Sequence, residues 1–147
     1  MRRLWRARRL PAAERRLLLA AYGLLWLTVL CLRTCRLHRT RRMAARGTRF
    51  LARVGGRWRR ALVPPELVGW AVGAAARHVP GATCLAQALT AQALLALLGT
   101  TSTLHIGVSR RPAGGLDAHA WVRCMGMTVV GGIGAAGYAP LLSLDLR

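Results

Sequence analysis

The chain has no lysine and only four acidic residues, Glu14, Glu66, Asp117 and Asp145, among its 147 positions. All 23 cationic side chains are therefore arginine, and the formal charge is +19. The four cysteines (Cys31, Cys35, Cys84 and Cys124) form no CxxC pair and no framework of the kind found in small secreted domains. That absence points to a reducing, cytoplasmic setting. No small-residue cleavage site follows the first apolar run, so a signal peptide is not indicated. Nor is there an internal repeat.

What is present is unevenly spread. Residues 1–60 hold 18 arginines against one acid, while residues 61–147 hold five against three. A charge of this size commonly serves nucleic-acid or anionic-membrane binding. Here 54% of the residues are hydrophobic, and arginine alternates with leucine and alanine. That pattern suits a membrane surface or an acidic protein partner and argues against nucleic acid.

The stretch LPAAERRLLLAAYGLLWLTVLCLR predicts a helix, with Pro11 in its first turn and Glu14 near the positive end of the dipole. Its apolar run, Leu17–Leu32, would be about 24 Å long at ~1.5 Å per residue, short of a bilayer core of about 30 Å. A buried or partner-facing helix, contact with a membrane surface and a true span all stay open. A basic stretch follows, read either as a solvated face or as a docking surface. Gly55-Gly56 and Pro64-Pro65 then punctuate the chain and set a boundary between a helical, Arg-rich arm (1–61) and a second unit (62–147).

That second unit opens with PELVGWAVGAAARHV, with Leu67, Trp70, Ala71 and Ala74 on one helical face. Pro80-Gly81 stops it. A second helix begins at Cys84 and ends at Gly99. The period then changes to two: TLHIGVS, AHAWVRC and MTVVG read as strands, the last two joined at Met125-Gly126. Helices followed by an antiparallel sheet make the fold class α+β.

Cys84 stands at the first turn of its helix, where unpaired N–H groups and the helix dipole favour a thiolate. The ordinary reading of such a cysteine is a buried, inert side chain; the sharper one is a nucleophile. A nucleophile needs a base. His38 lies in the arm and His78 closes a helix. His105 alternates with Leu104 and Ile106 and so faces away from the core. His119 starts HAWV beside a glycine-rich loop, and Cys84 with His119 is the favoured pair. Trp121 shares His119's strand face and either walls a cleft or is a core aromatic. Gln87, one turn after Cys84, either positions substrate or caps a buried face. The Cys84 backbone N–H is the expected oxyanion donor.

Three patterns are set aside. GIGAAG (132–137) matches a dinucleotide-binding fingerprint, but the ten residues after it leave no room for the phosphate-cradling helix. Cys31, Cys35 and His38 fall at helical spacing without a fourth zinc ligand. Cys84, Cys124, His105 and His119 contain no paired-ligand motif. No metal or cofactor is expected.

PGATCLAQALTAQALLALLG, followed by LHIGVSR, GGLDAHAWVR and VVGG…YAPL, resembles the lasso-peptide maturation proteases. These are bacterial leader peptidases with a papain-related, transglutaminase-like fold. The resemblance covers residues 64–147 and extends more loosely to LPAAERRLLLAA. It implies a cysteine peptidase, with Cys84 as nucleophile and His119 as base. The family's third member is an acid about a dozen residues past the histidine. Val130, Gly131 and Gly132 stand there instead, so Asp117, Asp145 or a backbone carbonyl is left to orient the imidazole. The resemblance further implies a precursor peptide as substrate, a separate leader-recognition protein and an ATP-dependent macrolactam synthetase. Because residues 1–61 do not read as strands, leader recognition is expected in trans, with the arm docking that partner or the acidic part of the leader. The same Cys–His chemistry could instead pass the acyl group to an amine, and a basic membrane-surface adaptor is the non-enzymatic alternative.

Overall fold

Pro11 starts the first helix, its carbonyl accepting from Arg15 N–H at 3.1 Å. The structure is a computed structural model that describes residues 11–34, 63–110, 114–132 and 135–145. Helix α1 runs Ala12–Thr34 with Glu14 in its first turn and Arg33 in its last, both placed to suit the helix dipole. Helix α2, Pro65–Ala76, begins with a proline at N1, where the missing N–H costs no intrahelical bond. Helix α3, Cys84–Leu97, is capped by Thr83, whose side chain accepts from Ala86 N–H at 3.3 Å. It ends in a Schellman motif: Gly99, at φ 80°, donates to Ala96 O and Thr100 to Leu95 O.

Four strands follow: β1 (Thr103–Arg110), β2 (Leu116–Cys124), β3 (Met127–Val130) and β4 (Ala139–Asp145). They form one antiparallel sheet in the order β3-β2-β1-β4. Met125 (φ 50°) and Gly126 (φ 81°) make the two-residue β2–β3 turn; positive φ at both positions fits the strand twist. Strand β4 is an addition to the three strands expected from alternation. Its outward side is largely exposed, which mutes the apolar pattern that would announce it. The fold class is the α+β one that the residues predict.

The pairing register separates two faces. Leu104 pairs with Val122 and Leu144, and Ile106 with Ala120; these side chains and Cys124 join the core with the three helices. His105 pairs with Trp121, and Gly107 with His119, on the opposite face. Since β3 and β4 are opposite edges, the chain between them must cross the sheet. Gly131 lies against Trp121, and the Tyr138 ring lies 5.1 Å from that of His119, so the crossing passes over the His119 face.

Helix α1 packs into this same core. Leu17, Ala21, Leu25 and Val29 are buried with Val68, Val72, Leu94 and Leu95, and the Thr28 and Thr90 hydroxyls lie 3.2 Å apart. By length and composition α1 is also a candidate membrane span. The basic stretch after Thr34, with Cys35 and His38, and the boundary expected at residue 61 fall outside the described residues.

Leu25 is fully buried between α1 and the other helices. Leu25→Ala is expected to lower the stability of the whole chain by about 2–5 kcal/mol, measured by urea unfolding with a probe on the sheet such as Trp121. An unchanged sheet transition would mean that α1 contributes nothing to that unit.

Candidate active site

The Pro80-Gly81 break turns the chain into α3. Thr83 as N-cap leaves Cys84 as the first helical residue, with its N–H outside the intrahelical ladder. Gln87 Nε2 donates to Ala82 O at 2.8 Å and Gln87 N–H to Thr83 O at 3.0 Å. Gln87 therefore braces the loop that presents Cys84. The Cys84 side chain is half-buried at the rim of the core.

His119 lies in the first half of β2. Its Nε2 is 2.8 Å from Gly131 O. A carbonyl oxygen can only accept, so Nε2 carries the proton and the neutral ring's Nδ1 is its basic nitrogen. Gly131 stands twelve residues past the histidine, where the resemblance places an acid. Its φ is 77°, and a side chain there would run into Ala120 O and Trp121. Glycine thus lets the backbone come close enough to present a carbonyl where a carboxylate is otherwise expected.

An aromatic array surrounds the imidazole. Trp121 stacks on His119 with ring centroids 6.2 Å apart and on His105 at 5.4 Å. Tyr138 Oη donates to Asp117 Oδ2 at 2.8 Å. The structure thus gathers His119, Trp121 and Asp117 on one face of the sheet, adds Tyr138 and His105, which the sequence did not assign, and puts the carbonyl of Gly131 on the imidazole, a backbone carbonyl being one of the three orienting groups the sequence left open. Tyr138 follows a glycine-rich crossing and carries no local signal of its role. His105 was legible as outward-facing, and the same alternation, continued through the register, also places His119 outward.

Cys84 and Gln87 are not part of that group. Helix α3 packs on the Leu104–Val122 face, and no hydrogen bond joins Cys84 to His119 among the described residues. His119 lies towards the end of the sheet where β2 begins, and Gln92 Nε2, midway along α3, donates to Leu144 O beside Leu104. Asp145 lies at the other end and accepts from Thr103 Oγ1 at 2.7 Å, far along the sheet from His119.

A separate cavity of about 550 Å³ opens at that other end, lined among others by Thr103, His105, Arg123, Met125 and Asp145. His105 hydrogen-bonds Ser143 Oγ at 2.9 Å. Burial and, secondarily, the nearby Arg123 charge hold the His105 imidazole below its usual range, with Asp145 opposing them. Burial, assisted by Glu66, pushes the Cys124 thiol up.

A family model described as the transglutaminase-like superfamily matches residues 24–143. The match begins inside α1, ends inside β4, and includes Cys84, His119 and Gly131. No curated protein and no solved structure matches the chain.

Two outcomes follow from the shifted groups. His105 takes a proton less readily folded than unfolded, so stability is expected to fall as pH drops through the usual imidazole value of 6.5. Urea midpoints at pH 7.5 and pH 5 measure this, and His105→Gln should flatten the difference. Cys124, buried and held protonated, should resist iodoacetamide at pH 8 until the chain unfolds, as read by mass spectrometry of digested protein.

Proposed function

Because the chain belongs to the transglutaminase-like superfamily, whose members are typically cysteine peptidases or acyltransferases, we propose that it removes the leader from a lasso-peptide precursor before the macrolactam is formed. Cys84 attacks the carbonyl at the leader–core junction. The tetrahedral oxyanion is held by the Cys84 N–H at the helix start. His119, taking the thiol proton at Nδ1, passes it to the leaving amine; water then hydrolyses the thioester to free the leader's carboxylate. The core peptide leaves with a new N-terminal amine for an ATP-dependent macrolactam synthetase to cyclise. A separate recognition protein presents the leader.

The observation that supports this reading most directly is the His119–Gly131 hydrogen bond. It fixes the tautomer that leaves Nδ1 basic, which is the work of a triad's third member, and a carbonyl does it without a charge. Attack requires Sγ and Nδ1 to meet, although α3 packs on the Leu104–Val122 face and His119 lies on the other, and the cleavage assay tests that requirement directly. Trp121, stacked on the imidazole, limits the ring's freedom.

The test is mass spectrometry of a precursor peptide incubated with this protein and the recognition protein. Wild type should release a leader-sized fragment, and Cys84→Ala none. His119→Ala should lose about 10²–10⁴-fold in rate. Gly131→Ala should lose at least tenfold and shift the alkaline or acid limb of the pH–rate profile, because it displaces the carbonyl that orients the ring. Asp117→Asn should stay within about tenfold of wild type; a loss as large as that of His119→Ala would return the orienting role to Asp117. With an added primary amine, a product carrying the amine's mass would mark an acyltransferase instead.

A further inference from the structure

Helix α1 has a second face that the other described residues leave uncovered. Leu19 is 71% exposed, Leu30 57%, Leu27 56%, Trp26 42% and Tyr22 39%. Leu19, Tyr22, Trp26 and Leu30 recur at spacings of three and four, so they form one stripe. It is about 17 Å long at ~1.5 Å per residue. A surface helix in water normally turns charged and polar residues outward; this one turns leucine, tryptophan and tyrosine. Exposed Arg15 and Arg16 stand at one end of the stripe and exposed Arg33 at the other.

The opposite face is committed. Leu17, Ala21, Leu25 and Val29 are at most 4% exposed and pack against α2 and α3. Crossing a bilayer would strip that face from the core, so while the chain is folded α1 can lie on a membrane but not span it. Charge names the surface. Residues 1–10 contain five arginines and residues 35–60 ten, with no acid in either stretch, and they flank α1 on both sides. An acidic protein would satisfy the arginines but not a continuous apolar stripe with interfacial Trp and Tyr. A bilayer of anionic lipid satisfies both: its headgroups attract the guanidinium groups, and the stripe enters the headgroup–acyl boundary.

We infer that the outer face of α1 docks this protein on anionic membrane surfaces, with Trp26 at the centre of the contact and the helix parallel to the bilayer. The inference does not depend on the peptidase reading, and its test makes no use of cleavage. The experiment is flotation of the full chain with vesicles of phosphatidylcholine alone or with 30% phosphatidylglycerol, at ~0.15 M salt. Wild type should float with the anionic vesicles only. A triple variant, Leu19→Glu, Trp26→Glu and Leu30→Glu, should keep its circular dichroism and lose at least tenfold in partitioning, and the matching serine triple should fall in between. Equal flotation of wild type and both triples would mean that arginine alone binds, and would overturn the stripe's role. Absence of wild-type flotation would overturn the inference outright. So would unfolding of both triples, which would show the stripe covered by the chain's own remaining segments. A wild-type dimer in sedimentation that the triples abolish, with vesicle binding unchanged, would assign the face to a second copy.

Discussion

Nine of the fourteen residues of α3 are buried, and they point in every direction around its axis. A helix apolar on all sides must be enclosed on all sides, and the other elements are arranged to enclose it. Helix α1 closes one side, α2 another and the Leu104–Val122 face of the sheet a third. Alanines at 86, 88, 91 and 93 keep the enclosed cylinder thin, so the neighbouring backbones can approach. Of the two polar side chains inside, Thr90 Oγ1 bonds back to Ala86 O at 2.8 Å, and Gln92 Nε2 ties α3 to the carbonyls of Leu144 and Ser102 while its Oε1 has no partner among the described residues. That enclosure leaves one end of α3 near the surface, and Cys84 is there.

The proposed chemistry draws on backbone as much as on side chains. Thr83 and Gln87 shape the loop into α3, and the cap leaves an N–H beside the thiol free to meet a developing charge. On the sheet, the proposed reading gives a glycine carbonyl the orienting part that an acid plays elsewhere in such sites. With φ at 77°, Gly131 turns its carbonyl onto His119 Nε2 at a distance that a Cβ would prevent. A neutral acceptor fixes the tautomer but offers less stabilisation to an imidazolium than a carboxylate would.

The chain's charge and its fold meet in α1. One face completes the core and the other is apolar, exposed and bracketed by arginine. This division explains why a run of sixteen apolar residues occurs in a folded domain: five of them are buried in the core and six are exposed to an external surface.

Much of this architecture was legible in the residues themselves. Pro-Gly and Gly-Gly breaks, a change of period from 3.6 to two, and Met125-Gly126 between alternating runs identify the helices and three strands, because each is a local constraint on φ and ψ. Cys84 at a helix start and His119 on a strand are local in the same sense. Strand β4 was not legible, since an edge strand with a solvated side has little alternation to show. The role of Gly131 was not legible either: a carbonyl has no side chain to announce it, and only the crossing from β3 to β4 brings it to His119. Nor could periodicity decide which face of the sheet His119 occupies relative to α3. Alternation assigns residues to two faces, but which face the helices cover is settled by which one carries Leu104, Ala120 and Val122 into the enclosure of α3. Local propensity determined the elements; burial of a helix apolar on every side decided how they are arranged.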